Sequence, residues 1–339
     1  MIEEFIETLT GGRDLSRTQS AEAMRALMSG TATPAQMAGF LVALRMKGET
    51  VEEIAGLAET MRSFATPIVT SRTPLIDTCG TGGDRSGTFN ISTTAAFVVA
   101  GAGVAVAKHG NRSASSLCGS ADVLEKLGVN INATPGQVGR SIDEIGIGFL
   151  FARSLHTAMK NVAAVRQELK IRTVFNLLGP LTNPAGACGQ VIGVPDPGLI
   201  EKLAAVLAML GTRRAFVVSG SDGLDEITLS GLTHVAETSN GKVVRYELAP
   251  AALGLQGADR AALLGGDAEV NAEILRGVLT GKRGPHRDIV LLNAAAGILA
   301  SEDGAADWLN AIARASESID SGAALAKLDA LVDDSHRAA

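Results

Sequence analysis

Apolar residues in the first part of the chain recur at helical spacing and show no strand-like alternation. Thr33-Pro34-Ala35-Gln36 supplies an N-cap, a proline at the first helical position and a capping-box Gln. Met37, Phe40, Leu41 and Leu44 then share one face. Thr50-Val51-Glu52-Glu53 repeats the capping pattern ahead of Ile54, Leu57 and Met61. Residues 1–66 are therefore expected to form four short amphipathic helices. Their core is too small to be stable alone, so they should pack on the rest of the chain, on a partner subunit, or on both.

From Ser71 the pattern switches to short β-like runs between helical stretches. Strands are predicted at 74–76, 104–107, 148–151, 191–194 and 215–219, with further ones at 242–248 and 289–292, and helices at 135–145 and 199–210. Such alternation argues for an α/β fold with a doubly wound, mostly parallel sheet, whose ligands bind at the carboxyl ends of the strands. Residues 156–186 interrupt it with a helix over 156–169 and an apolar piece, 173–178, stopped by Gly179-Pro180. Docked on the N-terminal helices, this insertion would leave a cleft against the sheet. The expected division is a small all-helical domain, 1–68 joined in space by about 156–186, and a larger α/β domain of 69–155 and 187–339.

Composition narrows the function classes. The chain has 339 residues, 46% hydrophobic and 19% charged, which predicts a large core and excludes extended disorder. Aromatic residues make up 3% and the formal net charge is −6, so neither base-stacking platforms nor a generally basic surface for nucleic acid or anionic membrane is supplied. Any anion must be held by a local arrangement of groups. Cys79, Cys118 and Cys188 are odd in number and lack Cys-x-x-Cys spacing, which argues against a disulfide framework or zinc site and for a reducing compartment. The acidic start, Glu3-Glu4, is unlike a signal peptide, and the longest apolar run, 94–107, reads as a buried helix plus strand. A soluble, cytoplasmic protein is expected.

Candidate chemistry concentrates in 76–125. After the first strand come Asp77 and a turn with Gly80, Thr81, Gly82, Gly83 and Asp84. No Gly-Lys-Ser/Thr follows, so it is not a P-loop, and Arg85 replaces the third glycine of a dinucleotide fingerprint. What remains is a turn whose bare N–H groups can approach an anion. Asn90, Ser92, Thr93 and Thr94 add donors at a helix N-terminus, where the dipole favours negative charge. Lys108-His109-Gly110-Asn111-Arg112 follows the second strand, with Ser113, Ser115, Ser116 and Ser120 beyond it, the last opening another helix. Two such helix starts suit a polyanion. Asp225-Glu226, after the strand at 215–219, offers hard oxygen ligands for Mg2+ opposite a polyphosphate, with Ser92 as a further oxygen. Arg166, on the inserted helix, could clamp a carboxylate, and Arg172 is its nearest competitor.

Taken together these segments resemble the anthranilate phosphoribosyltransferase family over nearly the full chain. The likeness rests on 77–84, on Asn90-Ile91-Ser92-Thr93, on 108–116 and on Cys118-Gly119-Ser120-Ala121-Asp122. It continues through His156-x-Ala158-Met159-Lys160, Arg166-x-Glu168-Leu169, the run 175–184 and Asp225-Glu226. Lys170 departs from it, standing where a glycine is expected.

The resemblance implies a homodimer with a nucleoside phosphorylase/phosphoribosyltransferase-like fold. It also implies transfer of the phosphoribosyl group of 5-phosphoribosyl pyrophosphate (PRPP) to anthranilate, the second step of tryptophan biosynthesis from chorismate. PRPP would lie along Gly80, Gly83, Asp84, Thr88, Asn90, Ile91, Ser92 and Thr93. It would continue along Lys108, His109, Gly110, Asn111, Arg112, Ser113, Ala114, Ser115, Ser116 and Ser120. Gly80, Asn111, His156, Arg166 and Gly179 would line the anthranilate path. Mg2+, two ions per subunit, would be held by Ser92, Asp225 and Glu226. Catalysis would fall to Lys108, Arg166 and Asn111. Two rivals stay open: a pyrimidine nucleoside phosphorylase, whose pattern reads Lys-His-Ser rather than Lys108-His109-Gly110, and a non-catalytic PRPP-binding sensor.

Overall fold

A computed structural model describes residues 2–113 and 117–338; Ala114, Ser115 and Ser116 of the expected donor loop lie outside the described residues. The chain opens with four helices, α1 (Ile2–Thr10), α2 (Arg17–Met28), α3 (Pro34–Lys47) and α4 (Val51–Ser63). Reciprocal capping boxes start α2 at Ser16 and Gln19, α3 at Thr33 and Gln36, and α4 at Thr50 and Glu53. Glu53 is fully buried, yet its carboxylate accepts from the Thr50 and Leu15 amides and pairs with Lys47 at 2.9 Å.

The remainder is wound around a seven-stranded sheet. In chain order come β1 (Leu75–Gly80), α5 (Ile91–Gly101), β2 (Ala105–Gly110), α6 (Ser120–Lys126), α7 (Pro135–Ile145) and β3 (Ile147–Phe151). The insertion contributes α8 (Ala152–Leu155), α9 (Lys160–Leu169) and α10 (Phe175–Leu178). After it follow β4 (Gly189–Gly193), α11 (Ile200–Met209), β5 (Arg214–Gly220), β6 (Thr233–Ser239), β7 (Lys242–Leu248) and the helices α12 (Ala268–Leu279), α13 (Pro285–Ala300), α14 (Trp308–Asp320) and α15 (Ala323–Ser335). The strand order is β3-β2-β1-β4-β5-β6-β7, parallel from β3 to β5 and antiparallel for β6 and β7. No described helix is long and apolar enough to cross a membrane.

Strand alternation sorts side chains onto two faces. Ile76, Val106, Phe149, Val191, Phe216 and Val218 join α5 and α12–α15 in one core. On the opposite face Ile192, Val217 and Ala236 share a core with α11, the four N-terminal helices and the insertion, while Leu75, Ala105, Ala107 and Leu150 pack with α7.

Three expectations need correction. Residues 289–292 are not a strand but the first half of α13, every position of which from Ile289 to Ala300 is buried; a short apolar run looks the same in either conformation. The strand β6 has no clear mark in the sequence because polar residues fall on both of its faces, Thr233 and Thr238 buried and His234 and Glu237 partly exposed, so no apolar–polar alternation results. Strands β1 and β2 also extend further than their apolar runs. Asp77 through Gly80 pair with Gln190 through Gly193, and Lys108 through Gly110 pair with Phe149 through Phe151. The polar residues expected to follow these strands are their last rungs.

Candidate active site

Extending β1 and β2 places buried polar groups in the sheet itself, where each needs a partner. Asp77, fully buried, accepts from the His109 amide at 3.1 Å and the Asn183 Nδ2 at 2.9 Å. Asn183 Nδ2 also donates to the Ala107 carbonyl at 2.9 Å, so the insertion's last residues fasten the ends of both strands. Burial pushes the Asp77 carboxyl upward, against the pull of the Lys108 ammonium. Lys108 is 3% exposed and donates to the Thr78 carbonyl.

Because neighbouring strand residues face opposite sides, Lys108 points toward α5 and His109 toward the insertion. His109 Nε2 lies 3.2 Å from His156 Nε2, and the His109 ring also bonds to the backbone of Gly179. Burial, and for His109 the nearby His156 and Lys108, lowers these imidazoles to about 3 and about 4, so both are neutral at pH 7. Among the described residues the His156 Nδ1 has no partner. Arg166 on α9 stacks over Phe175, its guanidinium carbon 5.0 Å from the ring centroid, and burial lowers its pKa. His109, assigned from sequence to the donor, thus meets His156 and Gly179 of the acceptor set.

The Gly-rich turn is shaped by close approach. Gly82 and Gly83 have φ of 66° and 85°, where a side chain is strained. A Cβ at Gly80 would lie 2.6 Å from Asp225 Oδ2, which accepts from the Gly82 amide at 2.9 Å. Glu226 Oε1 accepts from the Ser92 amide at 3.2 Å, in the first turn of α5. The N-terminal dipole of α5 and the carboxylates therefore meet, with Ser92 between them.

Electrostatically the carboxylates are under load. Burial first, then the Asp84 carboxylate, pushes Asp225 up to about 7. Burial and then repulsion from Asp225 raise Glu226 well above the ordinary range, with Lys108 opposing. Asp84 Oδ2 is buried beside the Asp225 carboxyl, and no N–H among the described residues donates to it. A buried carboxylate oxygen with no N–H donor, beside two carboxyls whose burial disfavours their charged form, offers hard oxygens to a divalent cation. Among the described residues no group of three His, Cys, Asp or Glu side chains could hold a metal ion, so water and ligand oxygens would have to complete its shell.

The second candidate phosphate loop is differently engaged. Asp122 accepts from the Gly119 and Ser113 amides at 2.9 and 3.1 Å, filling the N-terminus of α6 with the chain's own carboxylate. Arg112, although exposed, pairs with Asp122 and Glu125, each at 2.8 Å. Asn111 is exposed, and its amide donates to Ser120 Oγ at 3.1 Å.

Sequence reasoning missed two positions here. Asn293, in the apolar α13, donates to the Ile227 carbonyl and accepts from its amide, fixing the backbone that carries Glu226. Asn271 donates to Asn90 Oδ1 at 2.9 Å and accepts from the Gly266 amide. A lone Asn inside the apolar run of α13 was the available signal for the first; nothing marked the second.

Comparison with known proteins places this geometry. Residues 3–65 match the helical bundle domain of the glycosyl transferase family, and 72–325 match its a/b domain. The chain is 57% identical to the anthranilate phosphoribosyltransferase of Moorella thermoacetica, over 98% of both chains. With that of Symbiobacterium thermophilum it is 55% identical, over 98% of this chain and 97% of the other. The crystal structure of the Thermus thermophilus anthranilate phosphoribosyltransferase superposes with a TM-score of 0.93 at 47% identity, over 98% of this chain and 99% of that one. The Saccharomyces cerevisiae enzyme in complex with PRPP and Mg gives 0.89 at 29% identity, over 98% of this chain and 97% of that one. Matched end to end in sequence and fold, the chain belongs to the anthranilate phosphoribosyltransferase family.

Proposed function

We propose that this protein transfers the 5-phosphoribosyl group of PRPP to the amine of anthranilate, giving N-(5-phosphoribosyl)anthranilate and pyrophosphate. One observation carries the reading. The Gly-rich turn, the N-terminus of α5 and the Asp84, Asp225 and Glu226 carboxylates converge beside Lys108.

In the reaction the C1–O bond to pyrophosphate breaks and the C1–N bond forms. An arylamine is neutral at pH 7, so its lone pair needs no base before attack. The main demand is the charge growing on the leaving group. Lys108 and the N-terminal dipole of α5 would meet it, Lys108 by exchanging the Thr78 carbonyl for the leaving group. Mg2+, which the relative from yeast binds together with PRPP, would be held by Ser92, Asp225 and Glu226 with Asp84 beside them. When bound it supplies charge neutralisation on the pyrophosphate oxygens. Arg166 holds the anthranilate carboxylate so that the ortho amine faces C1. His109 and His156, both neutral, wall the acceptor path with Gly179 and Asn111.

Gly110 supports this over phosphorolysis. A Cβ there would come 2.2 Å from Ser120 Oγ and 2.8 Å from the Phe149 ring, so the serine of the phosphorylase pattern does not fit unless both move. Finer points complete the proposal: a cytoplasmic homodimer, two Mg2+ per subunit, a helical domain of 1–68 with about 156–186, and an α/β domain of 69–155 with 187–339. The test is incubation with PRPP, anthranilate and Mg2+, following product fluorescence. Phosphate-dependent cleavage of thymidine without anthranilate turnover would overturn the reading, and PRPP binding without pyrophosphate release would make the protein a sensor.

A further inference from the structure

We propose that Arg172 is a positioning residue that ties the Gly-rich turn to the helical layer, so that the donor site is held in shape from the acceptor side. Arg172 lies on the short link between α9 and α10 and makes two bonds in opposite directions. Its Nη1 donates to the Gly82 carbonyl at 3.0 Å. Its own carbonyl accepts from Arg45 Nη1, on α3, at 2.6 Å. Gly82 is thereby gripped at both backbone polar atoms, its carbonyl by Arg172 and its amide by Asp225 Oδ2 at 2.9 Å. The continuous path runs from α3 through the insertion and the turn to the candidate metal carboxylates.

The turn is cut to receive the guanidinium. A Cβ on Gly83 would stand 1.8 Å from Arg172 Nη1, so glycine there is needed for this seat as well as for its φ of 85°. With Gly82 and Gly83 both in the left-handed region, the turn has unusual freedom to lose, and a charge-assisted bond from a neighbouring element restricts it. Arg166, the candidate carboxylate clamp, sits on the helix that leads into Arg172. Any movement of this segment when the acceptor arrives is passed to Gly82, and by linkage a donor that orders Gly82 favours the acceptor-bound position of the segment.

This coupling rests on the PRPP reading only for the name of the donor; the restraint on the turn stands without it. The experiment compares the whole protein with its Arg172→Ala, Arg172→Lys and Arg45→Ala variants. Hydrogen–deuterium exchange of residues 80–88 is measured without any substrate. In Arg172→Ala it should quicken by about tenfold or more, with intermediate values for Arg172→Lys and for the surface change Arg45→Ala. Steady-state kinetics should show the KM for PRPP rising about ten- to a hundredfold in Arg172→Ala, with the KM for anthranilate moving far less. Partial recovery is expected in Arg172→Lys.

Unchanged exchange of 80–88 in both Arg172→Ala and Arg45→Ala would overturn the proposal. So would a rise in the KM for anthranilate alone, which would make Arg172 an acceptor contact. A wild-type protein that turns over no PRPP would remove the substrate reading while leaving the exchange result to decide the coupling.

Discussion

Replacing Asp225 with Asn tests whether the candidate metal site is destabilised for the sake of its ligand. The partly buried carboxyl is pushed up to about 7, against 3.8 for a free aspartate, by desolvation and then by Asp84. Between those two values the folded state keeps a proton that the unfolded chain has released. Stability conferred by that proton is therefore lost as pH rises through the window and is absent above it. At about 1.4 kcal/mol per pH unit, ionising Asp225 in the fold costs on the order of 4 kcal/mol at pH 8. An amide accepts the Gly82 N–H as a neutral group, and weakening that bond costs about 1 kcal/mol. Asp225→Asn should therefore stabilise the cation-free protein by about 2–3 kcal/mol at pH 8 and by almost nothing at pH 4. Urea unfolding in chelator at the two pH values measures this directly. The same variant should lose about a hundredfold in Mg2+-dependent turnover, and added Mg2+ with PRPP should stabilise the wild type but not the variant. A variant no more stable than wild type at pH 8, with no pH-dependent difference, would refute the reasoning.

Three further outcomes are expected. Lys170 closes α9 at φ 51°, ψ 25°, so Lys170→Gly should stabilise the fold by about 0.5–1 kcal/mol, seen as a higher urea midpoint at constant slope. Arg166→Ala should raise the KM for anthranilate by about ten- to a hundredfold and leave that for PRPP nearly unchanged, and equal effects on both would move the acceptor elsewhere. His156, held neutral at about 4, takes up a proton more readily unfolded than folded, so its contribution is whole above pH 6.5 and falls as pH drops. Of the wild type's change in stability between pH 7 and pH 5, about 2 kcal/mol of loss should disappear in His156→Gln, measured by unfolding at both values.

What the sequence reveals here follows from where physical constraint is local. Capping boxes at Thr33 and Thr50 act within four residues, and the helices they predict are present. The Gly-rich turn is equally legible, because positive φ and close approach leave glycine as the trace. Strand ends are not, since Asp77 and Lys108 stay in the sheet through partners far along the chain, such as Asn183. Arg112 shows the same limit from the other side. Its charge beside a serine-rich loop suggests a phosphate, and the structure adds what the motif does not show, that Asp122 and Glu125 pair with it. The motif residues were readable as a set, but His109 joins His156 rather than Lys108 because pleating separates adjacent side chains.

The core beneath the N-terminal helices also bears on how the protein is made. Phe40, Leu41, Leu44, Ile54 and Leu57 are covered in part by Val162, Val165, Phe175 and Leu178 and in part by Ile200, Leu203 and Leu207. During synthesis the first four helices leave the ribosome long before those residues exist. They must wait with an apolar face uncovered while β1 to β3 are made, which is the interval in which a chaperone would be needed or a nascent chain would stick to its neighbours. A deletion within the insertion would accordingly be felt first at the start of the polypeptide, in helices translated well before it.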